Sequence, residues 1–117
     1  MRTLLCYERC STCRKAQKWL DDHAIAYEKR EIGIANPNES ELQLWQKQSG
    51  LPLAKFFNTS GRLYRELKLR EKLPSMTDEE KISLLASDGM LVKRPILLDD
   101  TVVLVGFREA EWSEALL

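Results

Sequence analysis

The sequence predicts an α/β fold: a four-stranded mixed sheet flanked by helices, with an all-helical insertion between a βαβ half and a ββα half. Three observations predict it. An apolar run, Leu4-Leu5-Cys6-Tyr7, leads directly into a helical pattern and then a second alternating run. A pair of short apolar runs joined by a turn at Asp99-Asp100 forms a hairpin near the other end. Between the two lies a stretch of helix-start clusters and helical periodicity. At 117 residues, 44% of them apolar and 31% charged, the chain fits a single domain over 1–117, with the helical insertion at about 37–90.

Residues 2–7 read as a short buried strand. A helix then runs from Ser11 to about His23, burying Cys13, Ala16, Trp19 and Leu20 at three- and four-residue spacing. Residues 24–32 alternate through Ile25 and Tyr27, with Ile32 beyond, as a second strand does. Strand, crossing helix and strand make one βαβ unit, so these strands should be parallel. Asn36-Pro37-Asn38-Glu39-Ser40-Glu41 opens a helix that carries Leu42 and Trp45 and stops at Gly50 as a C-cap. Residues 53–73 read as short helices joined by a turn at Asn58-Thr59-Ser60-Gly61. Thr77-Asp78-Glu79-Glu80 is a capping box opening a helix through Ile82, Leu85 and Ala86, stopped at Gly89. Residues 95–98 and 102–105 are the hairpin strands, and a last helix from Glu109 to Leu116 places Ala110, Trp112 or its neighbour, and Leu116 on its buried face. This order is thioredoxin-like.

The functional signal is Cys10-Ser11-Thr12-Cys13. A thiol at the start of a helix meets unpaired amides and the positive end of the helix dipole, which favour the thiolate. Cys13 lies one turn further on, close enough to form a disulfide with Cys10. Packing would account for Cys13 alone, but Cys10 sits in a polar loop, Glu8-Arg9-Cys10-Ser11-Thr12. A metal site needs more ligands, and only Cys6 on a buried strand and His23 at the far end of the helix are nearby in sequence. No metal is therefore expected. The dithiol reading makes Cys10 the attacking thiol and Cys13 the resolving one. Arg9, Arg14 and Lys15 add positive charge, although Lys15 also fits a solvated helix face. Arg94-Pro95 opens a strand whose start should approach the tip of the first helix. There Arg94 faces the Cys10 thiolate or is a surface arginine beside a proline; the residues alone leave both open.

With a formal net charge of zero, nothing favours direct nucleic-acid binding. No apolar run approaches the ~18 residues of a membrane span. The start turns polar at Glu8, unlike a secretory signal, and three cysteines do not suit a secreted disulfide framework. A cytoplasmic protein is expected.

Cys10-Ser11-Thr12-Cys13-Arg14-Lys15-Ala16 with Trp19-Leu20 resembles the opening motif of the arsenate reductase (ArsC)/Spx family. Tyr64-Arg65-Glu66-Leu67, Met90-Leu91-Val92-Lys93-Arg94-Pro95-Ile96 and Val105-Gly106-Phe107 resemble its later segments. The resemblance implies a thioredoxin-like fold, a cis proline at Pro95 and Arg94 near the active cysteine, with Ser11, Thr12, Arg14 and Pro95 supporting. The arsenate reductases of this family surround one cysteine with three arginines. Arg94 matches one; Asn58 and Gly106 stand at the others, which removes two bidentate oxyanion donors. The Cys-x-x-Cys pair is closer to the Spx branch, a redox switch that binds the C-terminal domain of the RNA polymerase α-subunit. That branch places a contact glycine near Gly50. The family implies no bound cofactor, a small-molecule or protein thiol or disulfide as substrate, and glutathione, glutaredoxin or thioredoxin as electron donor.

Overall fold

The structure, a computed structural model, describes residues 2–117. Among these, four strands and six α-helices follow in the order β1 (Arg2–Cys6), α1 (Ser11–Asp22), β2 (Tyr27–Glu31), α2 (Glu39–Ser49), α3 (Arg62–Glu66), α4 (Leu69–Lys72), α5 (Asp78–Ser87), β3 (Ile96–Leu98), β4 (Val103–Val105) and α6 (Glu109–Leu116). The chain divides into two compact units: residues through Glu31 with Arg94–Leu117, and Ile32–Lys93.

The first unit holds the whole sheet, in the order β2-β1-β3-β4. Strand β1 pairs in parallel with β2, from Arg2 opposite Tyr27 to Cys6 opposite Glu31, as a crossover through α1 requires. Its other edge pairs antiparallel with β3, Leu4 opposite Leu97, and β3 pairs antiparallel with β4, Leu97 opposite Leu104. The α/β class and the mixed four-stranded sheet are therefore as the sequence predicts.

Helix α1 buries the four residues its spacing predicts: Cys13, Ala16, Trp19 and Leu20. They pack with Leu4, Cys6, Leu97, Leu104 and Trp112 in one cluster, and Cys10, Tyr27, Phe107 and Leu116 lean against it. Trp112 is fully buried, donates from its indole Nε1 to the Gly106 carbonyl at 3.0 Å, and meets Phe107 edge-on with ring centroids 4.9 Å apart.

The strands are shorter than expected. Strand β2 begins at Tyr27, because Ala24 takes a left-handed φ of 55° as the chain leaves α1, and Ile25 donates its amide back to Leu20. Strand β3 begins at Ile96, after Pro95, which has no amide to give the ladder. Ala110, expected on the buried face of α6, is exposed; Trp112 fills that face, with Leu116 packed against the same cluster.

The second unit is all-helical apart from one bridge, Phe57 opposite Val92. Capping boxes start α2 at Asn38 with Glu41 and α5 at Thr77 with Glu80. Gly50 ends α2 in the left-handed conformation, φ 70°, which identifies it structurally as a C-cap. Residues 53–75 form short α and 3-10 segments, as the interrupted periodicity suggests. Gly89 comes so close to the Ile32 carbonyl that a Cβ there would collide with it.

Candidate redox site

The loop between β1 and α1 turns tightly: Cys10 donates its amide to the Tyr7 carbonyl at 3.0 Å, and the Arg14 side chain reaches back to the Glu8 carbonyl at 3.2 Å. Cys10 is the N-cap of α1. Its backbone is extended (φ −95°, ψ 115°), and its sulfur accepts the Cys13 amide at 3.3 Å. Sulfur thus occupies the position where a serine or aspartate oxygen ordinarily satisfies the first turn. Charge on that atom is stabilised by the same amides that the helix needs capped.

Cys13 sits one turn further in, fully buried, and its own sulfur accepts the Tyr7 amide at 3.4 Å. All three cysteines are free thiols.

Arg94 comes to the site from the start of the hairpin. Its guanidinium hydrogen-bonds to the Cys10 sulfur, and its Cζ lies 5.1 Å from the centroid of the Tyr7 ring. The Arg94–Pro95 peptide is cis, as the family resemblance implies. Pro95 is buried and its carbonyl accepts the Gly106 amide at 2.7 Å, which ties the Arg94 corner to the end of β4. Ser11, Thr12 and Arg14 are exposed on the first turn of α1. Arg14 is committed to the Glu8 carbonyl, so it braces the loop.

The two sulfurs differ sharply in their proton affinity. Partial burial pushes the Cys10 thiol up. Hydrogen bonds from the Cys13 thiol and amide, then the hydrogen bond and charge of Arg94, together outweigh it and hold Cys10 below the ordinary thiol value. Burial pushes Cys13 up to about 12; the Tyr7 amide opposes this, and the neighbouring Cys10 and Cys6 sulfurs add to the rise. Cys10 is thus the more readily ionised of the two thiols, and Cys13 the one that holds its proton more tightly.

Tyr7 is a site residue that the sequence shows only as the end of a strand. It contributes twice: its amide holds Cys13, and its ring lies under Arg94. Its position three residues before Cys10, where an apolar run meets a polar loop, is the only trace of this in the sequence. His23, the histidine near the thiols in sequence, caps the far end of α1: its Nδ1 lies 2.8 Å from the Trp19 carbonyl, and its ring is tilted against Trp19 with centroids 4.3 Å apart.

A sequence model of the ArsC family matches residues 5–115. This chain belongs to the ArsC family. The uncharacterised protein YusI of Bacillus subtilis is 49% identical over 112 residues, covering 96% of this chain and 95% of YusI. The global transcriptional regulator Spx of Staphylococcus epidermidis is 31% identical over 111 residues, covering 95% of this chain and 83% of Spx. Among solved structures, an ArsC-family-related protein from Bacteroides fragilis superposes with a TM-score of 0.94 at 53% identity, covering 97% of this chain and 95% of that one. The thioredoxin-like architecture is therefore that of the ArsC family.

Asn58 and Gly106, which the family resemblance sets at the positions of two arginines, are accounted for locally. The Asn58 amide group donates to the Met90 carbonyl and accepts from the Ser60 hydroxyl, within its own helical unit. Gly106 has φ 77°, a left-handed conformation that an arginine adopts only at a cost.

Proposed function

We propose that this ArsC-family protein is a cytoplasmic thiol–disulfide oxidoreductase in which Cys10 attacks and Cys13 resolves. The observation that carries this reading is the placement of the two sulfurs on one helix turn: Cys10 caps the start of α1, and Cys13 lies fully buried behind it. The Cys10 thiolate attacks one sulfur of a substrate disulfide; a Cys10–substrate disulfide forms, and the second substrate sulfur leaves as a thiolate that takes up a proton. Cys13 then loses its proton and attacks the Cys10 sulfur, forming the Cys10–Cys13 disulfide and expelling the remaining substrate thiolate. Two electrons have passed from the dithiol to the substrate. A thiol donor such as glutathione, glutaredoxin or thioredoxin restores the pair. Arg94 and the N-terminus of α1 stabilise negative charge on Cys10 both when it attacks and when it leaves. Arsenate reduction is not part of this reading, since Asn58 and Gly106 supply no guanidinium groups.

A second reading is favoured by the similarity to Spx over 95% of the chain. In it, the same disulfide switches a surface that binds the C-terminal domain of the RNA polymerase α-subunit, without turnover. Reduction of a model disulfide and of arsenate, measured beside a pull-down with that domain under reducing and oxidising conditions, separates the two. Disulfide turnover that is lost in Cys10→Ala, with no binding of the domain, supports the oxidoreductase. Oxidation-dependent binding with no turnover overturns it in favour of the regulator.

A further inference from the structure

We propose that Cys6 is a third redox-active thiol, which takes Cys13 as its disulfide partner and sets Cys10 free for a second reaction. The inference rests on the dithiol reading, which leaves Cys6 without a role.

All three cysteines of the chain meet at one end of β1. Leu4 and Cys6 occupy alternate positions of that strand, so their side chains leave the same face of the sheet. Both belong to the cluster formed with Cys13, Ala16 and Leu20 of α1, and Cys10 packs against it. The peptide unit that follows Cys6 donates directly to the Cys13 sulfur, from the Tyr7 amide at 3.4 Å. That nitrogen is bonded to the Cys6 carbonyl carbon, so standard bond lengths put the Cys13 sulfur within about 6 Å of the Cys6 Cα. A cysteine sulfur lies roughly 3 Å from its own Cα, so the Cys6 and Cys13 sulfurs share one small neighbourhood of the core. The charge states of the three are mutually felt: Cys10 acts on Cys6, and both act on Cys13. A small hydrophobe would fill the Cys6 position equally well by packing alone; a sulfur there, against the resolving thiol, adds chemistry.

The step is an isomerisation and needs no outside oxidant. Cys6 gives its proton to solvent, and its sulfur attacks the Cys13 sulfur of the Cys10–Cys13 disulfide. A Cys6–Cys13 bond forms, the Cys10–Cys13 bond breaks, and the electron pair leaves on Cys10. Cys10 is the favoured leaving group because Arg94 and the α1 N-terminus stabilise its thiolate. Burial raises Cys6 and slows its attack, so the second disulfide should form after the first. The protein then stores one oxidation in its core while keeping a reactive thiolate at the helix tip.

Trypsin makes the test direct, because cleavage after Arg2, Arg9 and Arg14 puts Cys6 on peptide 3–9 and both other cysteines on peptide 10–14. Folded Cys10→Ala protein is treated with diamide at low concentration, denatured, alkylated and digested. Loss of both remaining thiols in a monomer, with peptides 3–9 and 10–14 joined, is the expected result. Two alkylated thiols, or disulfide-linked dimers only, overturn the proposal. The wild-type protein covers the case in which Cys10→Ala fails to fold: after oxidation, joined peptides carrying an alkylated Cys10 are expected, and an alkylated Cys6 throughout overturns the proposal. Cys6→Ala keeps the two ideas apart. If it oxidises to an internal disulfide within peptide 10–14 the dithiol reading stands whatever becomes of Cys6, and if it does not, that reading falls first.

Discussion

Arg94 reaches Cys10 from the far half of the chain and brings both a hydrogen bond and a charge to its sulfur. Removing the guanidinium leaves the burial of Cys10 in place while taking away two of the influences that oppose it. The alkylation rate of Cys10 as a function of pH should therefore shift to higher pH in Arg94→Ala, and Arg94→Lys, which keeps a charge but loses the fork, should fall between. An unchanged profile would remove Arg94 from the site. The same shifts fix the sign of two contributions to stability. Cys10 is depressed in the folded protein, so its contribution is present above the ordinary thiol value and is lost as pH falls through its folded value. Cys13 works the other way: its contribution is whole below the ordinary thiol value and is lost as pH rises toward about 12.

Cys10 caps helix α1 and, in the proposed function, is also the nucleophile, and the two roles can be separated by substitution. Cys10→Ser retains an atom that can accept the Cys13 amide, whereas Cys10→Ala leaves that amide unmet. Urea unfolding should find Cys10→Ala less stable than Cys10→Ser by about 1 kcal/mol, while neither turns over a disulfide. Equal stabilities would mean that the sulfur caps nothing of consequence. In the helical unit the caps are conventional side chains, Asn38 with Glu41 and Thr77 with Glu80, and there no chemistry is attached to them. The contrast matters because a cysteine is an unusual choice where serine would cap better.

At the scale of the molecule, the sheet-bearing unit and its candidate redox site share one core. Trp112 of α6 fills that core and holds the Gly106 carbonyl, while the Gly106 amide holds the Pro95 carbonyl next to Arg94. Trp112→Ala should cost about 3–5 kcal/mol by loss of a fully buried indole. Trp112→Phe should cost about 1–3 kcal/mol, chiefly from the unmet Gly106 carbonyl. Because that carbonyl belongs to the corner that positions Arg94, the Phe variant should also alkylate at Cys10 more slowly than wild type at neutral pH. Thermal unfolding and the alkylation rate check both, and a destabilised variant with unaltered Cys10 reactivity would uncouple the core from the site. Lys and Arg together equal Asp and Glu in number, and no helix among the described residues is long and apolar enough to span a membrane.

Local signals were enough to read most of the elements. The spacing of Cys13, Ala16, Trp19 and Leu20, the Thr77 capping box and the Gly50 stop each act within a few residues, and the chain folds there as they dictate. The position of Cys10 at a helix start was legible for the same reason. The ends of β2 and β3 and the exposure of Ala110 were not, because they depend on a left-handed Ala24, on where the ladder to β1 ends, and on which face Trp112 already fills. By itself, then, the sequence determined a strand, a thiol and the helix that thiol caps. Only the tertiary structure decided what stands beside that thiol: Arg94 reaches it through the pairing of β1 with β3 and the packing of α1 on the sheet, and is held over the Tyr7 ring. Those contacts between distant segments leave no local pattern in the chain.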